Sequence, residues 1–440
     1  MNARHLTPWL SALVGTAASL LAQDPPNVVR LSPPHLADAV DPLEVTSLVV
    51  QFDRAMDPTA YALCGGGPSF PKVAQPNWES EQSFVIDAAL EPDRVYAMDL
   101  SCAESGGFRS RDGGRLPLVP WRIATKGPEL PAGATATAAA RLFAALRERY
   151  SYRDRLGIDW TEVDRTHRDR LEACRSGAAF ALHTGELLAI AQDVHVTVRW
   201  RDADLPTCRR RVLPNFDVRG LQRVLPKPSP IGRIGLAART DDGIGYLLVG
   251  TFAREQRDDF DRVLDALRGL RDCKVLVLDV RTNGGGDELL ARRLAAFFVE
   301  GEVVYAAQRV VDPNAEDGFG PRQDRRMTGN EAPDTFAGPV AVLTGPACMS
   351  SCEAFLLMMK QSPRAVLVGA PSFGSSGNPQ PIELMSGLTV LLPSWQALRP
   401  DGSCFEGEGI APHLHVAAEP GDFATGDPVL EAALQRLRGR

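Results

Sequence analysis

Two apolar runs in the second half of the chain constrain the fold most. Residues 275–278 and 340–343 are apolar throughout and show no polar alternation, which is typical of strands buried on both faces. Each run leads into a loop of small residues, and a helical pattern follows. Further strands predicted at 244–249 and 365–368 alternate with helices. This order favours an α/β core, which we expect to fill residues 206–440 and to include a last strand at 388–392.

The length and the N-terminal half indicate more than one domain. A chain of 440 residues is longer than a single hydrophobic core ordinarily accommodates. Residues 27–126 are rich in Pro and Gly, and alternating runs predict strands at 45–52, 83–88 and 94–100. Short, regularly spaced strands favour an all-β sandwich. We predict a helical subdomain at 135–205, because helical apolar spacing follows a Pro/Gly/Ala linker.

The first 22 residues have the pattern of a signal peptide. Arg4 is followed by an apolar stretch at 9–22, which is too short to span a bilayer but suits a cleaved leader. We therefore predict an exported protein, periplasmic or extracellular, without a stable membrane span. Cys64 and Cys102 fall in one predicted domain, so they are the favoured disulfide pair, although spacing alone does not fix connectivity.

Composition and cysteine spacing argue against two classes of partner. The net charge is −7, so no basic excess is available to neutralise nucleic-acid phosphates. Cys348 and Cys352 have no second Cys or His pair at zinc-ligand spacing. We expect no metal and no cofactor, and the sequence leaves the oligomeric state open.

The two strand–loop–helix units carry the residues with catalytic chemistry. Free backbone amides at the start of a helix stabilise negative charge, which suits an oxyanion hole. The glycines at 284–286 let backbone approach a ligand closely. Taken alone, three glycines equally describe a tight turn into a helix.

Four segments in fixed order make the pattern specific: VLVLDVRTNGGG at 275–286, SSCEAF at 350–355, RAVLVGAPSFG at 364–374 and GEGIAP at 407–412. From about residue 150 onward, the chain resembles the C-terminal-processing (tail-specific) and tricorn serine peptidases. The resemblance implies a ClpP/crotonase-like α/β core with Ser350 as nucleophile. It also implies an oxyanion hole made by Ser351 with Gly284 or Gly285. Residues 27–126 resemble a bacterial Ig-like domain.

The base differs from that of tail-specific members. Those enzymes use a lysine 25 residues after the serine, and that position here is Ser375. Tricorn-type members use Ser, His and Glu, with the histidine in an L-x-D-x-H pattern. LAIAQDVH at 188–195 is similar, which implies His195 as base.

The resemblance also implies a glutamate that orients the histidine. Glu406 directly precedes the final Gly-x-Gly and is preferred over Glu408. Ser375 and Ser376 are either cleft-lining residues or turn residues. We expect no PDZ domain, because the segment between His195 and residue 244 is too short for one.

The predicted function is hydrolysis of peptide bonds in a peptide or protein substrate by a Ser-His-Glu triad. Three alternatives stay open. These are a catalytically inactive peptide- or ligand-binding protein on the same scaffold, an esterase-type acyl hydrolase, and a mainly adhesive surface protein.

Overall fold

The structure is a computed structural model that describes residues 24–102, 106–208, 210, 212–225 and 227–438. The predicted signal peptide at 1–22 lies outside these residues. Within the described ranges, none of the helices combines the length and apolar character needed to cross a bilayer.

Eight α-helices and twenty-two strands are present in the described part of the chain. The helices are α1 (Ala134–Glu148), α2 (Trp160–Glu172), α3 (Gly177–Leu188), α4 (Val218–Val224), α5 (Arg257–Gly269), α6 (Glu288–Ala295), α7 (Ser351–Met359) and α8 (Pro428–Arg438). The strands of the first half are β1 (Val28–Ser32), β2 (Ser47–Phe52), β3 (Leu63–Cys64), β4 (Lys72–Val73), β5 (Asn77–Ser80), β6 (Ser83–Ala89), β7 (Val95–Leu100), β8 (Val119–Ala124), β9 (Thr197–Trp200) and β10 (Ala203–Pro206). Those of the second half are β11 (Ser229–Ile231), β12 (Gly235–Arg239), β13 (Ile244–Val249), β14 (Val275–Asp279), β15 (Glu302–Val310), β16 (Gln323–Thr328), β17 (Val340–Thr344), β18 (Ala365–Gly369), β19 (Pro379–Met385), β20 (Leu388–Pro393), β21 (Trp395–Leu398) and β22 (Leu414–His415).

Within the described N-terminal residues, 24–102 and 106–126, the regular elements are strands β1–β8 and one short 3₁₀ turn at Gly67–Ser69. One sheet runs β1-β2-β6-β4, with β5 also paired to β6, and a second sheet runs β3-β7-β8. A core containing Phe84 and Trp121 is shared by strands of both sheets. The predicted disulfide between Cys64 and Cys102 is confirmed, with Cα atoms 5.7 Å apart. The specific Ig-like topology stays a prediction.

The N-terminal region contacts the helical segment directly. The indole of Trp200 donates to the carbonyl of Asp93 at 2.9 Å, and His183 Nε2 lies 2.7 Å from a carboxylate oxygen of Asp38. Val95 and Ala124 are buried in the same core as helices α1 and α3. The predicted linker therefore joins two regions that share buried surface.

One sheet departs from the predicted domain division. Strands β9 and β10 follow the helices, and they pair with β20 and β19 in the order β10-β9-β20-β19. The strand predicted at 388–392 therefore belongs with the helical segment and not with the main sheet. Apolar alternation finds such a strand but carries no information about a partner almost 190 positions away in sequence.

The main sheet has the order β11-β12-β13-β14-β17-β18-β22, and its four central strands are parallel. Helices α5, α6 and α7 bury their apolar faces against one side, while α4 and α8 cover the other. Alternate residues of β14 point to opposite faces of the sheet. Leu276 and Leu278 pack in the core with α5, α6 and α7, and Val277 packs in the core with α4 and α8. Burial on both faces explains why this strand has no polar alternation.

Two hairpins were not predicted from the sequence. Strands β11 and β12 extend the main sheet, and β15, β16 and β21 form a separate three-stranded sheet. The described residues between His195 and β13 form β9, β10, α4, β11 and β12, and every one of these strands belongs to a sheet already described. No separate domain occurs within that described segment.

The topology fixes where the chemistry-bearing loops meet. Parallel strands β14, β17 and β18 end at the same edge of the sheet. The glycine loop follows β14, the loop to Ser350 follows β17, and the loop to Ser375 follows β18. Open α/β sheets place ligand sites at this edge.

Candidate active site

Ser350 occupies a strained position at the start of helix α7. Its φ is +57°, in the left-handed region that non-glycine residues rarely adopt. Its N–H donates to Glu353 Oε2 at 3.1 Å and to the carbonyl of Ser375 at 2.9 Å. The serine is therefore held rigidly at the N-terminal end of a helix, which is where a nucleophile gains from the helix amides.

Glu353 joins the Ser350 loop to the Ser375 loop. The carboxyl group is fully buried and receives further N–H bonds from Gly374 at 2.6 Å and Ser375 at 3.0 Å. The hydroxyl of Ser372 donates to it at 2.6 Å. Burial raises the pKa of Glu353 to about 7, although these donors act in the opposite direction. The spacing of Glu353 to Ser350 is that of a capping box.

The raised pKa of Glu353 predicts a specific dependence of stability on pH. The folded state binds this proton more tightly than the unfolded chain, so the stabilisation is present below pH 4.5 and is lost as pH rises through 7. The free energy of unfolding of the native protein, relative to a Glu353→Gln variant, should fall by about 3 kcal/mol between pH 4 and pH 8. Urea unfolding of both proteins across this range measures the difference. A constant difference would show that Glu353 does not titrate there.

His195 lies opposite the nucleophile loop, and a short network fixes its position. Its Nδ1 is 2.8 Å from Ser375 Oγ, and its backbone N–H donates to Asp193 Oδ1 at 2.8 Å. The other oxygen of Asp193 receives the hydroxyl of Tyr150 at 2.9 Å. Burial lowers the pKa of His195, and the nearby charge of Asp193 opposes that shift. The ring is therefore neutral near pH 7, as a general base must be.

The carboxylate of Glu406 receives the N–H of Ser376 at 2.8 Å, and among the described contacts none joins it to His195. The described partner of the histidine Nδ1 is Ser375 Oγ. The orienting role of Glu406 stays a prediction. The alternative, Glu408, is exposed and pairs with Arg399 at 3.1 Å.

Two acidic side chains are buried close to one another behind the histidine. Burial raises the pKa of Glu406 well above its usual value, and the charge of Asp193 adds to the shift. Burial likewise raises the pKa of Asp193. The negative charge of either group therefore disfavours ionisation of the other.

The glycine loop is anchored by Asn283. The side-chain carbonyl of Asn283 receives the N–H of Gly285 at 2.9 Å, and its amide donates to the carbonyl of Val249 at 3.1 Å. The amide of Gly285 is therefore engaged within the loop, and its place in the oxyanion hole stays a prediction. Gly285 is nevertheless required for close approach, because an added Cβ would lie 2.6 Å from the Met349 carbonyl.

Gly286 is the glycine that faces Ser351. The N–H of Phe252 donates to the carbonyl of Gly285, and the carbonyl of Phe252 accepts the N–H of Asp287. The polar groups of Gly286, which lies between these two residues, therefore point away from Phe252. Its carbonyl accepts the Ser351 hydroxyl at 2.6 Å. Gly284 is exposed and does not line the adjoining cavity. Gly286 is therefore a further candidate for the oxyanion hole beside Gly284 and Gly285, because the sequence does not show the direction of each amide.

A cavity of about 650 Å³ joins these groups. Its wall includes Ser350, Ser351, His195, Gly286 and Ser376. Ser376 lies in this wall, whereas Ser375 is buried behind His195 and does not line the cavity. Within the described part of the chain, no cluster of His, Cys, Asp and Glu is arranged to hold a metal ion.

Part of the chain matches a known peptidase family. Residues 243–416 match the model of Peptidase family S41. Carboxyl-terminal-processing peptidase 2, chloroplastic, from Arabidopsis thaliana is 28% identical over 156 residues, which are 35% of this chain and 28% of that protein. The match thus spans well under two thirds of that relative.

Two solved structures share the fold. A candidate peptidase from Parabacteroides merdae ATCC 43184 has a TM-score of 0.61 and 23% identity, and the match covers 69% of this chain and 96% of the other. Mature CPAF has a TM-score of 0.53 and 11% identity, with 69% and 97% coverage. The matched family segment contains Ser350, Ser375 and Glu406, whereas His195 precedes it. The chain therefore carries a domain of peptidase family S41 over residues 243–416.

Proposed function

We propose that this protein is a serine-type peptidase with Ser350 as nucleophile and His195 as general base. The observation that carries the proposal is that the strained Ser350 and the half-buried His195 line one cavity. Membership of the domain in a peptidase family favours a peptide or protein substrate.

The proposed reaction follows from the positions of these groups. Ser350 Oγ attacks a peptide carbonyl while His195 Nε2 takes its proton, and the histidine then returns that proton to the leaving amine. Water releases the acyl group by the reverse sequence. The amides of Ser351 and Gly286 stabilise the oxyanion, in place of the predicted use of Gly284 or Gly285. No hydrogen bond joins the side chains of Ser350 and His195 among the described contacts, so the proposed mechanism requires them to reach hydrogen-bonding distance when substrate is bound.

Ser375 has the orienting role in this proposal. For Nε2 to act as base, the proton of the neutral ring must lie on Nδ1, so Nδ1–H must donate to Ser375 Oγ. A hydroxyl thus occupies the place that a carboxylate has in other triads. Asp193 supports the histidine through its backbone instead.

A Ser375→Ala substitution should lower kcat about tenfold, with little change in KM, because one hydrogen bond that selects the productive tautomer is lost. Ser403→Ala is a matched control, since its hydroxyl bonds Asp401 on the surface at 2.7 Å. Steady-state peptide hydrolysis measures both variants. Equal kcat for Ser375→Ala and the native protein would remove Ser375 from the mechanism.

The test of the proposed activity compares peptide and ester substrates with matched leaving groups. Peptide hydrolysis that disappears in Ser350→Ala supports a peptidase. Ester hydrolysis alone would favour an acyl hydrolase. Tight peptide binding without turnover would favour the inactive binding protein.

We also propose that the protein is exported, in the periplasm or outside the cell. The support is the signal-like pattern at 1–22 together with the Cys64–Cys102 disulfide, because such bonds persist in oxidising compartments. Fractionation of expressing cells tests this: recovery of unprocessed chain in the cytosol with both thiols reduced would contradict it.

A further inference from the structure

A second cavity, of about 580 Å³, adjoins the catalytic one between the start of α5 and helix α6. Arg254 and Asp287 line both cavities. A peptide bound in the catalytic cavity can therefore extend directly into the second cavity.

The wall of this second cavity is strongly basic. Four arginines line it, Arg254, Arg257, Arg292 and Arg293, against one carboxylate, Asp287. A guanidinium group binds a carboxylate through two parallel N–H bonds, so such a wall favours an acidic ligand.

The structure leaves part of this positive charge available. Asp287 pairs with Arg254 at 3.1 Å, and Arg293 pairs with Asp261 at 2.7 Å. Arg292 donates to the carbonyl of Arg326. Arg257 is exposed, and among the described residues it has neither an ion pair nor a side-chain hydrogen bond. Arg257 is thus free to pair with a ligand carboxylate, and the positive charges of the other three arginines add to the attraction.

An apolar side chain beside the arginines suits a peptide ligand. Leu289 is 59% exposed on α6 and lines the same cavity. The leucine can pack against the methylene groups of a glutamate while the unpaired arginine binds its carboxylate. The same pair can bind an acidic residue that has an apolar neighbour in the peptide.

We propose that this arginine cavity is a substrate subsite that binds an acidic side chain of the peptide a few residues from the scissile bond. The proposal rests on the peptidase function proposed above, because it assumes that a peptide occupies the neighbouring catalytic cavity. It assigns to this chain a preference for acidic peptides.

Binding to the Ser350→Ala protein tests the subsite separately from catalysis. The probes are fluorescein-labelled peptide pools with amidated C-termini that carry either Glu or Gln at otherwise identical positions. The Glu pool should bind about tenfold more tightly than the Gln pool at low salt, as expected for a charge-assisted contact. The preference should shrink at high salt, because exposed charges are screened.

Variants assign the preference to this cavity. Adding Arg257→Gln to the Ser350→Ala protein should reduce it severalfold, and adding Arg293→Gln should remove the rest. Arg262→Gln removes the same charge from α5 at a residue that does not line the cavity, and it should leave the preference intact.

Three outcomes would overturn the proposal. These are equal binding of both pools, an unchanged preference in the double variant, and a Gln pool with a free C-terminus that binds as tightly as the amidated Glu pool. The last outcome would assign the cavity to a terminal carboxylate. If the native protein cleaves no peptide but the preference for the Glu pool holds, the cavity still binds acidic peptides and only the peptidase proposal fails.

Discussion

A His195→Ala substitution is expected to lower kcat/KM for peptide hydrolysis by about 10³- to 10⁴-fold, because a serine hydroxyl without its base is a weak nucleophile. The side chain is held by Ser375 at 2.8 Å and has its backbone fixed by Asp193. Its removal therefore takes the base from a site that is otherwise intact. The residual rate is that of the oxyanion hole and substrate binding alone.

The matched control is His167→Ala, in helix α2. His167 does not line the catalytic cavity, and its loss should leave kcat/KM close to that of the native protein. Progress curves with one peptide substrate compare the three proteins. Similar rates for His195→Ala and the native protein would mean that another group activates Ser350.

An Arg281→Met substitution is expected to lower the free energy of unfolding by about 3–5 kcal/mol, because it leaves two buried carboxylates without their counter-charge. Arg281 is fully buried and bonds Asp279 and Asp427, each at 2.7 Å at the closest approach. It also donates to the Asn215 carbonyl at 2.9 Å. Asp427 directly precedes helix α8, so this cluster connects the start of the glycine loop to that helix.

Urea unfolding followed by circular dichroism measures this effect. Arg239→Met is the control, since its pair with Asp272 at 2.8 Å is exposed on both sides and contributes little. A loss for Arg281→Met no larger than that for Arg239→Met would show that the buried cluster adds no net stability. Activity should fall in parallel, because Asp279 and Arg281 lie at the root of the glycine loop.

The parts of the fold that the sequence predicts are those with strong local patterns. The apolar runs in strands β14 and β17 predict burial on both faces, and the helical patterns that follow the two runs predict helices α6 and α7. The placement of β20 was wrong because its partner β9 lies far away in sequence. Pairing at that separation depends on tertiary packing, which alternation does not encode.

The candidate site shows the same division. The order of the glycine loop, Ser350 and Ser375 along the chain, together with a parallel sheet, predicts that their loops meet at one edge. The orienting role of Ser375 and the engaged amide of Gly285 depend on individual bond directions, which no motif specifies. The contacts of Glu353 are likewise not specified by the sequence, because a carboxylate that accepts from four donors has the sequence pattern of an ordinary helix cap.

The central claim is that Ser350 is an activated nucleophile. Labelling of the purified protein with a fluorophosphonate probe tests it most directly, because such probes react with activated serines and leave ordinary hydroxyls unmodified. We predict that the native protein is labelled, that Ser350→Ala is not, and that His195→Ala is labelled far more slowly. A folded native protein that stays unlabelled, or a Ser350→Ala variant labelled as fast as the native protein, would contradict the account.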